Sequence, residues 1–148
     1  MPRESRIFIK TGVAALLIAF LWGGWMSVVE ASGGNAGALF PIEHAHLAFV
    51  GWLVNTVIGF ALWLLPLNRQ RYPKTQGRYA AWMPLSIYML LNGGLLMRIV
   101  SEPLVADSAI ARAGLDASAV SQCAAICIFV ALAWSRTKAP ARPAAGVR

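Results

Sequence analysis

Residues 43–66 read EHAHLAFVGWLVNTVIGFALWLLP. After the two histidines the chain runs from Leu47 to Pro66 or Leu67 without an Asp, Glu, Lys or Arg. Crossing the hydrocarbon of a bilayer takes about 20 mostly apolar residues, each adding about 1.5 Å of helical rise. Lipid offers no partner to a backbone N–H or C=O, so a lone span of this length is a helix and not a strand. The stretch is built for a membrane.

Three more stretches share its character, and the four spans are expected at about 7–29, 44–67, 79–101 and 116–135. The composition agrees. Of 148 residues, 58% are hydrophobic and 13% charged, against about 25% charged in an ordinary soluble domain. A globule this small has too little interior to hide that much apolar surface, which excludes a soluble enzyme and a disordered chain. The expected fold class is an all-α integral membrane four-helix bundle over residues 1–136. An Ala-, Pro- and Arg-rich tail, 137–148, is expected to be disordered.

The charges give the spans an orientation. Arg3, Arg6 and Lys10 precede the first span, Arg69, Arg71, Lys74 and Arg78 join the second to the third, and Arg136, Lys138, Arg142 and Arg148 follow the fourth. These segments fall on one side and hold 11 of the 13 basic residues, while Glu30, Glu43, Glu102, Asp107 and Asp116 fall on the other. The positive-inside rule makes both termini cytoplasmic, in a bacterial-type inner membrane. The net charge of +7 is thus a topology signal, and nucleic acid is not an expected partner. Val29-Glu30-Ala31 before Ser32 has the look of a cleavage site. The apolar run before it, about 19 residues, exceeds the 7–15 of a signal-peptide core, so the first span is read as retained.

Polar groups inside or at the rim of such helices carry the information. The two histidines of the chain, His44 and His46, open the second span. Imidazole is the commonest protein metal ligand and also binds haem iron. Residues two apart on an α-helix differ by about 200°, so the two rings face nearly opposite ways. His44 shares a face with Gly51, Asn55, Gly59 and Leu62, a small-residue face suited to close helix contact. His46 shares a face with Leu53, Val57 and Leu64 and looks toward lipid, a partner chain or a macrocycle. At the same level lie Met26 and Glu30 of the first span, Met97, Arg98 and Glu102 of the third, and Asp116, Ser118, Ser121 and Gln122 of the fourth. Arg98 and Glu102 are spaced as an i,i+4 pair. Arg98 at a rim also suits a haem propionate or a lipid phosphate, or simply marks the helix end. Asn55 and Asn92 are read as interhelical hydrogen-bonding groups. Cys123 and Cys127, four apart on one helix, are read as small buried apolar residues. The phosphate-loop, nucleophile-elbow and His-Glu-x-x-His patterns are missing, as is CxxC, so no reaction is assigned.

The run His44-Ala45-His46-Leu47, then Gly51-Trp52, with Gly59 before Pro66, resembles the second helix of small proteins similar to the catalytic subunit I of haem–copper oxidases and of NnrS-type nitric-oxide-response proteins. Leu91-Asn92-Gly93-Gly94-Leu95-Leu96-Met97-Arg98 is similar to their N-x-G-x-x-x-R third-helix pattern. The resemblance covers roughly residues 12 to 100. It implies a bundle associated with haem b, or with copper as the alternative, in respiratory electron transfer or in nitric-oxide or oxygen sensing. His44 or His46 would be the ligand, with Arg98 and Trp52 supporting it. One copy of the chain cannot supply a six-histidine haem–copper centre. A single haem b would take one histidine with Met26 or Met97, or histidines from two copies in a homodimer or larger membrane complex. The rival expectation is a non-catalytic membrane subunit or assembly partner without its own cofactor.

Overall fold

The computed structural model describes residues 1–37 and 40–137, so the expected disordered tail lies outside the described residues except for Thr137. Four helices long and apolar enough to cross a membrane stand among them: α1 (Arg3–Ala31), α2 (Pro41–Leu64), α3 (Trp82–Ser101) and α4 (Ala109–Arg136). No strand occurs among the described residues. The chain is an all-α, multi-pass membrane protein.

Local chemistry moves some helix ends away from their expected positions. Leu65 is extended (φ −57°, ψ 137°) because the ring of Pro66 disfavours the helical region for the residue before it, so α2 stops at Leu64. α4 starts at Ala109, well ahead of Asp116, because the Ser108 side chain accepts a hydrogen bond from the Ala111 N–H and caps the helix there. Asp116 therefore lies inside the helix.

α2 is not uniform. It is α-helical over Phe40–His46, π-helical over Leu47–Val54 and α-helical again over Asn55–Leu64. Side chains following the wide turns donate back to carbonyls of that segment. Asn55 Nδ2 donates to Val50 O at 3.0 Å and Gly51 O at 3.1 Å, and Thr56 Oγ1 donates to Trp52 O at 2.7 Å. Asn and Thr side chains compete for backbone groups in this way, and π-turns often mark functional segments.

Glycines set the helix spacing. A Cβ on Gly12 of α1 would lie 3.0 Å from the Trp52 carbonyl oxygen of α2, and one on Gly94 of α3 would lie 3.1 Å from the Ser118 carbonyl oxygen of α4. In lipid, where no hydrophobic force drives helices together, such approach of backbones is a main source of packing energy. Asn55 and Asn92 then join α2 to α3 by a reciprocal pair of amide hydrogen bonds, each 3.0 Å, as read from the sequence. Tyr88 ties α3 to α1, its hydroxyl 2.9 Å from Thr11 Oγ1 and its ring edge-on to Phe8. One apolar cluster gathers Phe8, Ile58, Leu62, Ile87, Leu91 and Leu132, and a second gathers Ala15, Ala19, Leu47 and Leu95.

α4 packs chiefly on α3 and leaves much of its own surface open. Cys123 and Cys127 lie on that open surface and are exposed. This corrects the expectation that they are buried: their face of α4 has no helix opposite it to bury them.

A candidate site at the histidine end

The alternating directions of the four helices place the start of α2, the end of α3 and the distal half of α1 at one end of the bundle. Counting in fours along α2 from Glu43 gives Leu47, Gly51 and Asn55, all buried. Glu43 heads this inward stripe and is only 2% exposed. Neither of its carboxylate oxygens has a hydrogen-bond partner among the described residues. The charges of Glu102 and Arg98 both reach it. Sequence reasoning placed Glu43 among the rim acids. The four-residue spacing was the signal that could have found its burial, masked by counting from the histidine beside it.

Arg98 is already engaged. Its Nε lies 2.8 Å from Glu102 Oε2, and its Nη2 donates to Glu102 Oε1 at 3.1 Å, a forked ion pair one turn apart on α3. Glu102 itself is buried. The guanidinium that the sequence offers to a propionate or lipid phosphate thus closes on its own helix.

The two histidines diverge, as their spacing requires. His44 is half-buried and lies against α1, where a Cβ on Gly23 would come within 2.9 Å of its Cε1. Its Nδ1 is buried without a hydrogen-bond partner among the described residues. Met26, one turn beyond Gly23, is buried on the same face of α1. His46 Nδ1 lies 2.9 Å from the Ile42 carbonyl oxygen. A carbonyl only accepts, so this bond puts the ring proton on Nδ1 and leaves Nε2 with its lone pair. The same face of α2 continues through Phe49, Leu53 and Val57, all exposed.

The remaining expected residues scatter. Met97 is 41% exposed and points away from the cluster. Trp52 lies deeper along α2, half-buried against the Ala15, Ala19, Leu47 and Leu95 cluster. Among the described residues no three His, Cys, Asp or Glu side chains come together to hold a metal ion. The structure therefore brings Glu43, His44, Met26, Arg98 and Glu102 to one end, with His46, also half-buried, turned to a different face of α2 from His44. No protein-family model, curated protein or solved structure matches the chain.

Proposed function

We propose that this chain is a small membrane subunit that offers His46 as an axial ligand to haem b, in respiratory electron transfer or in nitric-oxide or oxygen sensing. Both termini would lie on the cytoplasmic side of an inner membrane, following the charge distribution. The observation that carries this reading is the His46 Nδ1 bond to the Ile42 carbonyl. Ligating histidines characteristically donate their other ring N–H to a backbone carbonyl or carboxylate, which fixes the tautomer and orients the ring. Haem, when bound, supplies one-electron chemistry or a gas-binding iron. The chain supplies a pre-oriented Nε2 and an adjoining apolar face of Phe49, Leu53 and Val57. His44 fits the role less well, because its ring is wedged against Gly23. Arg98, held by Glu102, supports the cluster and not a propionate. A second axial ligand would come from the His46 of another copy or from a larger complex. Copper is the weaker alternative, since a copper site draws on several converging donors.

Expression with added haem, followed by an absorption spectrum of the purified protein, tests this. The expected result is a Soret band that His46→Ala abolishes and His44→Ala retains. A colourless wild-type protein that purifies within a larger assembly would instead favour a non-catalytic subunit, a reading to which the open faces of α4 lend weight.

A further inference from the structure

At the opposite, basic end, the loop between α2 and α3 is folded back on itself. Asn68 N donates to Gly77 O at 2.7 Å, Gly77 N donates to Tyr72 O at 2.8 Å, and Arg71 N donates to Asn68 Oδ1 at 3.0 Å. Gln76 and Gly77 take positive φ (54° and 86°) to make the turn. At Gly77 a side chain would strike Arg69 N at 2.8 Å, so the closed loop depends on glycine there.

This loop bounds an open cavity of about 420 Å³ lined by Arg71, Tyr72, Lys74 and Thr75 together with Ala80 and Ala81. Its lining carries two exposed cations, Arg71 (5.7 Å from the Tyr72 ring centroid) and Lys74. It also carries a hydroxyl, Thr75 Oγ1, that donates to the Tyr72 carbonyl at 3.5 Å, and it holds no carboxylate. Behind the Tyr72 ring lies a third cation, Arg136, only 6% exposed and with its guanidinium 5.1 Å from the ring centroid. Arg136 Nε and Nη2 have no hydrogen-bond partner among the described residues. The loop is thus a preformed anion-binding concavity.

Ala81 also lines a second cavity, of about 350 Å³, that runs between α1 and α3. Its walls are apolar, formed by Ile7 and Phe8 on one side and Pro84, Leu85 and Met89 on the other, with Arg3 and Glu4 at its mouth. From Ala81 to Met89 it spans about 12 Å of helix, close to the roughly 15 Å depth of one leaflet of a 30 Å hydrocarbon core. A basic pocket and a leaflet-deep apolar groove that both border Ala81 together have the two-part chemistry of one molecule.

We propose that this end of the protein is a specific site for an anionic phospholipid, with the phosphate held by Arg71, Lys74 and Thr75 and one acyl chain lying in the groove between α1 and α3. A free phosphate would leave the groove unused, and an apolar helix would leave the cations unused.

The test uses the purified full-length chain in detergent, with lipid retention read by native mass spectrometry and stabilisation by thermal unfolding. Phosphatidylglycerol is expected to bind and stabilise more than phosphatidylcholine of the same chain length, and glycerol 3-phosphate is expected not to compete. Each cation near a membrane surface contributes about 1 kcal/mol, or about five-fold in affinity. The double variant Arg71→Ala/Lys74→Ala should therefore lose about 25-fold in phosphatidylglycerol affinity, beyond the small change in lipid-free unfolding that loss of the Arg71–Tyr72 contact brings. Leu85→Trp, which fills the groove, should weaken both lipids alike. Equal binding of the two lipids, or an undiminished preference in the double variant, would overturn the proposal. So would full competition by glycerol 3-phosphate, which would reduce the site to a phosphate pocket. A dimer that phosphatidylglycerol leaves intact and Leu85→Trp dissociates would assign the groove to a second copy.

Discussion

Both ends of the bundle bury charged side chains, and beside the paired Glu102 the histidine end holds one that is treated differently from Arg136. At the basic end, Arg136 donates to the Pro66 carbonyl through Nη1 and lies over the Tyr72 ring. At the histidine end, Glu43 is buried more completely, yet its carboxylate oxygens are bonded to nothing among the described residues. A buried charge with partners is part of the scaffold, whereas one without them costs the fold stability and is kept where something other than stability uses it. Burial alone would have ranked the two together. The degree of partnership separates them: Arg136 is bonded through Nη1 and leaves Nε and Nη2 unbonded among the described residues, whereas neither oxygen of Glu43 is bonded.

The sharpest way to break this contrast is to remove each charge. Arg136→Ala should destabilise the protein by about 2 kcal/mol, from a lost charge-assisted hydrogen bond, a lost cation–π contact and lost packing of the side-chain stem. Glu43→Gln keeps the shape and drops the charge, and should leave stability unchanged or raise it by about 1 kcal/mol. Thermal unfolding of the three proteins in one detergent measures both. A Glu43→Gln loss as large as that of Arg136→Ala would make the two ends alike.

A more local effect, of similar size, is expected from Gly23→Val. The added methyls press on the His44 ring, and overpacking of this kind costs about 1–3 kcal/mol. The change should perturb the nuclear magnetic resonance signals of His44 while leaving those of His46 in place, because the His44 ring lies against Gly23. Signals that shift together would show that the two imidazoles share one environment.

The smallest effect concerns Tyr79, just ahead of α3 at the basic end, whose hydroxyl lies 3.4 Å from Glu4 Oε2 as its donor. Burial, followed by the negative charge of Glu4, pushes its phenol up to about 12. A phenol that holds its proton more tightly in the folded state than in the unfolded one, where it ionises near 10, stabilises the fold below pH 10. That contribution is lost as pH rises from about 10 to 12. Stability should fall across this window, and the fall should be shallower in Tyr79→Phe. Equal slopes would remove Tyr79 from the network that closes the basic end.

Much of this was legible in the sequence. Four charge-free runs demand four helices because lipid satisfies no backbone group. The His44 stripe through Gly51, Asn55, Gly59 and Leu62 faces inward as its spacing predicts. The amide pair of Asn55 and Asn92 also follows from having two such groups at matching depths in an apolar bundle. The burial of Glu43 was hidden because an acid at a helix start reads equally well as a solvated rim residue. The exposure of Cys123 and Cys127 was hidden because α4 is apolar on several sides, so its sequence does not mark which side meets α3.

The sequence by itself determined the solvent, the number of spans and which loops share an end. Each of these follows from local composition and from the fixed rise and twist of a helix. The Arg98–Glu102 pair, four residues apart, likewise follows from helical spacing. Only the tertiary structure decided that Glu43 is buried, that Cys123 and Cys127 are exposed and that the His44 ring lies against Gly23. Those outcomes depend on which faces approach and how closely. Contacts between Gly12 and Trp52, Gly23 and His44, and Gly94 and Ser118 set that approach, and each lies between residues far apart in the chain.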